Sequence, residues 1–132
     1  MGRKLRGGEV IELVSDLGGG KTTFVKGLAQ GLGTHDLVRS PSFTLSNKYA
    51  AHKLSLYHFD FHRLNEPGIM RDELAEILVE PTNIVAVEWA EPVESILPTK
   101  RLVIRLKTTG DSSRIISFEY PETLNYLIPA NI

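Results

Sequence analysis

The densest chemistry in the chain is the run Gly18-Gly19-Gly20-Lys21-Thr22-Thr23, which follows the apolar stretch Ile11 to Val14 and opens a helical segment. Consecutive glycines let the backbone curl so that successive N–H groups converge on an anion, and a helix N-terminus behind them adds its positive dipole end. A lysine at this position reaches β- and γ-phosphate oxygens, and the hydroxyl after it suits Mg²⁺. Lys21 and Thr22 fill those two roles. The pattern is that of a phosphate-binding loop, G-x-x-x-x-G-K-[ST], with one departure: Ser15 stands five positions before Gly20, where the pattern has glycine. That position marks the exit from the strand, where a small residue suffices. The glycines nearest the expected phosphates are intact, so Gly18, Gly19, Gly20, Lys21, Thr22 and Thr23 are read as a nucleotide site.

Such a loop works with an acid near the metal, usually at the end of a neighbouring buried strand. Glu88 follows Ile84-Val85-Ala86-Val87, an unbroken apolar run of the kind a strand covered on both faces carries. The C-terminal end of such a strand is where open α/β sheets bind ligands. Asp60, closing Leu56-Tyr57-His58-Phe59-Asp60, is the second candidate. Glu88 sits better because its strand is more apolar; the plainer reading of either acid is a turn cap or a partner for an arginine such as Arg63. His58, Asp60 and His62 share one strand face and offer a competing transition-metal triad. Alternating aromatic and polar residues are ordinary in a half-buried strand, however, and no further cluster supports zinc chemistry. Arg39 and Arg63 could touch phosphate or RNA, although lone arginines are usually solvated. Trp89 reads as packing ahead of stacking on a base.

A scaffold must bring these groups together. The sequence predicts a strand over Glu9–Val14 and a helix over Lys21–Leu32, with Phe24, Val25, Leu28 and Leu32 on one face and Gly31 and Gly33 as stop signals. Ser40-Pro41 breaks regular structure. Phe43, Leu45 and Tyr49 then alternate as a strand, and a turn at 50–53 leads into a second, Leu54–Phe61, making a hairpin. After Pro67-Gly68, the spacing of Glu73, Leu74, Ile77 and Leu78 predicts a short helix that ends before Pro81. Ile84–Val87 is the buried strand, and Pro92–Leu97 a short helix. Leu102–Leu106 and Ile115–Tyr120 form a second hairpin across Thr109-Gly110-Asp111-Ser112. The apolar tail at Leu124, Tyr126, Leu127 and Ile128 docks on the body. The resulting fold class is α/β: a three-layer nucleotide-binding fold with a mostly parallel central sheet and antiparallel hairpins.

Composition bounds the function classes. A chain of 132 residues is expected to be one domain, 1–132, small for a nucleotide-hydrolysing fold. The 15 basic and 16 acidic residues leave a net charge of -1, so no global basicity drives it onto nucleic acid. The absence of cysteine excludes disulfides and thiolate metal sites. No apolar run approaches the ~20 residues of a membrane span and no signal peptide is visible. A cytoplasmic enzyme or switch is the expectation.

The motifs, in order, carry a family resemblance. Asp16-Leu17-Gly18-Gly19-Gly20-Lys21-Thr22-Thr23-Phe24 resembles G-D-L-G-A-G-K-T-T-F, and Ser40-Pro41-Ser42-Phe43-Thr44-Leu45 resembles S-P-T-[FY]-T-L. Tyr57-His58-Phe59-Asp60-Phe61-His62-Arg63 resembles Y-H-F-D-L-Y-R, and Val87-Glu88-Trp89 resembles V-E-W. Together these motifs, spanning residues 9 to about 120, are similar to the bacterial TsaE (YjeE) family, small ATPases of tRNA threonylcarbamoyladenosine (t6A) synthesis.

The resemblance implies an ATP- and Mg²⁺-dependent P-loop ATPase that joins TsaB and TsaD, the pair that modifies adenosine 37 of tRNAs. Its hydrolysis would support that cycle, and tRNA would be met only through the complex. Carried over by position, Gly18 to Thr23 hold the phosphates and Thr22 ligates Mg²⁺. Glu88 is the acid on the metal or the attacking water, Asp60 the acid of the hairpin, and Ser40–Thr44 a nucleotide-sensing loop. Besides Ser15, the departures are Gly19 for alanine, Ser42 for threonine and His62 for tyrosine. The family also usually carries a strand and helix ahead of the loop strand, part of which holds adenine; here they are expected to be missing, the first residues resembling the end of that helix. The alternatives are a small-molecule kinase, which would need an acceptor base and an arginine-bearing lid that the sequence does not display, and a nucleotide-dependent adaptor without hydrolysis.

Overall fold

The computed structural model describes residues 1–15, 20–34, 46–61, 68–110 and 113–129. Its frame is a six-stranded sheet in the order β2-β3-β4-β1-β5-β6. The strands are β1 (Val10–Ser15), β2 (Ser46–Ala50), β3 (Ser55–Asp60), β4 (Asn83–Glu88), β5 (Leu102–Thr108) and β6 (Arg114–Glu119). The four central strands run parallel, β3 with β4, β4 with β1 and β1 with β5. Antiparallel partners close both edges, β2 on β3 and β6 on β5. This is the mixed sheet with hairpins that the apolar run at Ile84–Val87 and the flanking alternations predict.

A helix covers each face. Helix α1 (Lys21–Leu32) buries Val25, Leu28 and Ala29 against Ile11, Leu13 and Ile104 of the sheet, with Phe24 and Leu32 partly buried on the same cluster. Helix α2 (Gly68–Val79) buries Leu74 and Ile77 on the opposite face with Val10, Phe59, Val85 and Val87. Alternation along β4 thus feeds both layers, Ile84 and Ala86 to one and Val85 and Val87 to the other. That is why the strand is apolar from Ile84 to Val87. The α2 helix starts five residues before the expected Glu73, because Gly68, Met70 and Arg71 join the helix ahead of the periodic residues.

One stop signal behaves differently from expectation. Gly33 does end α1, in the left-handed conformation (φ 96°), with its N–H on the carbonyls of Ala29 and Gln30. Gly31 instead lies inside the helix. Its missing side chain admits the backbone of the 3₁₀ turn Gly2–Lys4, since a Cβ there would come 2.8 Å from the Gly2 Cα. The glycine serves a close backbone approach. At the other end of the chain, Leu127 is fully buried in the α1-side cluster, and Leu124, Tyr126 and Ile128 pack on it, so the tail docks as its pattern predicts. No described helix is long and apolar enough to cross a membrane.

Candidate active site

The loop strand β1 and the helix α1 meet at Gly20, which adopts a left-handed conformation (φ 95°) that a residue with a side chain takes only with strain. Among the described residues no side chain caps the helix N-terminus, and its first turn holds no acid. The start of α1 therefore presents N–H groups without a described side-chain acceptor, and positive potential, to the C-terminal edge of the sheet. Lys21, its first residue, is only 7% exposed. Its ammonium lies 3.3 Å from Glu88 Oε1 and 3.5 Å from the carbonyl oxygen of Ser15. Ser15, in the place of the pattern's first glycine, thus closes β1 and offers its backbone to the loop lysine.

Glu88 comes from the end of β4, the strand beside β1, and is 4% exposed. Its second carboxylate oxygen accepts a hydrogen bond from Nε2 of His58, which is wholly buried on β3. Burial alone would raise the Glu88 pKa. The hydrogen bond and field of His58, joined by the charge of Lys21, outweigh it and hold the carboxyl below its usual range. The result is an ionised, oriented carboxylate clamped between a cation and an imidazole. Among the described residues, His58 Nδ1 has no hydrogen-bond partner.

Asp60 sits opposite Glu88 in the β3–β4 register and is half-buried, so the two candidate acids stand side by side at the strand ends. Thr22 is half-buried and Thr23 exposed on the first turn of α1. Trp89, directly after the acid, adopts a left-handed backbone (φ 56°) that is uncommon outside glycine. Its ring packs on the α2-side cluster, as expected, and also lies 4.9 Å from the Lys21 ammonium. Gly18, Gly19, Arg39, Ser40–Thr44, His62 and Arg63 lie outside the described residues.

The alternative reading of His58 as a metal ligand with Asp60 and His62 meets a different arrangement, since His58 Nε2 is engaged by Glu88. Among the described residues no group of three or more His, Cys, Asp or Glu side chains could hold a metal ion. Two contributors escaped the sequence. His58 could be joined to Glu88 only through the β3–β4 register. Arg114, at the start of β6, approaches the loop so closely that a Cβ on Gly20 would lie 2.7 Å from its Nη1. Its signal was only its place just after the turn of the second hairpin. Beside the first turn of α1 a cavity of about 400 Å³ opens, lined by Thr23, Phe24, Gly27, Ile116 and Phe118 among others.

Known proteins share this frame. The crystal structure of Bacillus subtilis YdiB superposes with a TM-score of 0.69 at 36% identity, over 89% of this chain and 72% of that one. The tRNA threonylcarbamoyladenosine biosynthesis protein TsaE of Bacillus subtilis is 42% identical over 111 residues, 84% of this chain and 69% of its own. The protein of the same name from Treponema pallidum is 41% identical over 117 residues, 89% of this chain and 86% of its own. The family model described as threonylcarbamoyl adenosine biosynthesis protein TsaE matches residues 1–116. On the strength of that match and of these relatives, the chain belongs to the TsaE family.

Proposed function

We propose that this chain binds ATP with Mg²⁺ at the loop before α1 and hydrolyses it slowly, as an accessory to TsaB- and TsaD-like proteins in tRNA threonylcarbamoyladenosine formation. The observation that carries the reading is the convergence of Lys21, Glu88 and the uncapped start of α1 at one edge of the sheet. A buried lysine held by a carboxylate has an obvious exchange partner. Phosphate oxygens entering the loop would take over its ammonium, while His58 keeps the carboxylate in place. The Thr22 hydroxyl and Glu88 carboxylate are hard oxygen donors of the kind Mg²⁺ prefers, and that ion commonly takes only one or two protein ligands beside phosphate. Bound there, Mg²⁺ would neutralise charge on the β- and γ-oxygens. Glu88, kept ionised by its neighbours, is the group to orient water or metal; Asp60 supports it from the adjacent strand. The apolar cavity beside Thr23 and Phe24 is roomy enough to receive the base.

The test is ATP turnover by the isolated chain, then with a reconstituted TsaB–TsaD pair and tRNA. Slow turnover alone is expected, rising with the partners; a transition-state cation supplied in trans is worth about 10³–10⁵ in rate. Lys21→Ala should lose nucleotide binding or turnover in both settings. Fast turnover that ignores the partners would overturn the accessory role. Tight binding without turnover in any setting would mark a nucleotide-dependent adaptor.

A further inference from the structure

Arg114 opens β6, and alternation along that strand places it with Ile116 and Phe118 on the α1 side, where Phe118 packs on the α1 cluster. Its guanidinium covers Gly20, the glycine directly before the loop lysine. Neighbouring arginines are engaged elsewhere: Arg101 holds Glu12 and Glu94, and Arg105 holds Glu119. Arg114 itself is exposed and has no ion-pair partner among the described residues. A second cation thus stands over Gly20, its charge unpaired among the described residues.

The strand order says which phosphates it faces. Glu88 lies one strand from β1 on the β4 side, and Arg114 lies two strands away on the β6 side. At ~4.8 Å per strand, roughly 14 Å separate β4 from β6, so the two groups flank the loop from opposite directions. The carboxylate and Lys21 define the end for the metal and the γ-phosphate. The apolar cavity, lined by Ile116 and Phe118 of the same β6, defines the end for the base. A nucleotide laid between them passes its α- and β-phosphates over Gly20, beside the N–H groups and positive dipole end at the start of α1. A planar guanidinium is suited to grip two phosphate oxygens at once.

Resting on the phosphate-site reading above, we infer that Arg114 grips the α- and β-phosphates from the β6 side and so sets affinity for nucleoside diphosphate and triphosphate alike. The experiment is calorimetric titration of ADP and of a non-hydrolysable ATP analogue into the parent chain, Arg114→Ala, Arg114→Lys and Lys21→Ala. Arg114→Ala should raise both dissociation constants by the same factor, about tenfold or more, the value of a charge-assisted hydrogen bond. Arg114→Lys, which keeps the charge and loses the fork, should recover part of that loss. In turnover the penalty should fall on KM and leave kcat. The exposed position of Arg114 leaves the fold intact, which an unchanged melting curve verifies. A loss confined to the triphosphate, or a fall in kcat at unchanged KM, would overturn the inference by moving Arg114 to the γ-phosphate. Unchanged affinities in Arg114→Ala beside lost binding in Lys21→Ala would also overturn it while leaving the phosphate site standing. A parent chain that binds neither nucleotide would bring down the phosphate site first and the inference with it.

Discussion

Glu9 and Glu88 are both 4% exposed, at opposite ends of the parallel strands, yet their partners differ in kind. Glu9 accepts hydrogen bonds of 2.7 Å from the backbone N–H groups of Arg6 and Gly7 and from the Tyr126 hydroxyl. Those donors are neutral and built into the chain path, and the Arg6 guanidinium lies 3.9 Å from the Tyr126 ring to seal them. Glu88 is met by the side chains of Lys21 and His58. A backbone N–H cannot leave; an ammonium can. One buried carboxylate staples the first residues to the tail, and the other, on the proposed reading, holds a cation that phosphate would take over. Burial marks both, and the nature of the partner separates structure from chemistry.

The sharpest way to test this contrast is Glu88→Gln. On the proposed reading, turnover should fall about a hundredfold or more, as for loss of a group that handles a proton or attacking water, while nucleotide stays bound. Full turnover in Glu88→Gln would move the acid elsewhere, and the contrast would collapse. Glu9→Ala should do the reverse. It strands two backbone N–H groups and a hydroxyl in a part-buried setting, costing about 2–3 kcal/mol of stability in chemical denaturation, with kcat unchanged. A kcat that fell with stability would show that the two ends are coupled.

Tyr126 offers the finest measure. Burial first, then its hydrogen bond to Glu9 and the carboxylate charge, outweigh nearby Arg6 and push its pKa up to about 12 from 10.0. The folded protein thus prefers the neutral phenol. That contribution to stability is fully present below pH 10, the unfolded value, and fades as pH rises through about 12. Phenolate absorbance during alkaline titration should contain a late component that Tyr126→Phe removes, with about 1 kcal/mol of stability lost at neutral pH. A single early transition would mean that the staple is loose.

Much of this organisation was legible in the chain, and the failures share a cause. The glycine run, the strand before it and the apolar periodicity of α1 located Lys21, and β4 located Glu88, because each signal is local. The role of His58 was missed because β3 is covered on both sides: Tyr57, His58 and Phe59 are all at least half-buried, so alternation gave no sign of which way His58 faces or what it meets. Its true partner depends on a register between strands 30 residues apart. Arg114 was passed over for a similar reason, since only the strand order carries the second hairpin back to the loop. Gly31 was taken for a helix stop because sequence reports the missing side chain without saying what occupies its space.

The left-handed turn at Trp89 has a practical consequence in spectroscopy. The chain holds a single tryptophan, and the structure sets its indole 4.9 Å from the one lysine the loop would give up to phosphate. A cation poised on a fluorophore shifts and dims its emission, so on the proposed reading departure of that charge rewrites the whole tryptophan signal of the protein. The molecule needs no attached dye to reveal whether its loop is filled.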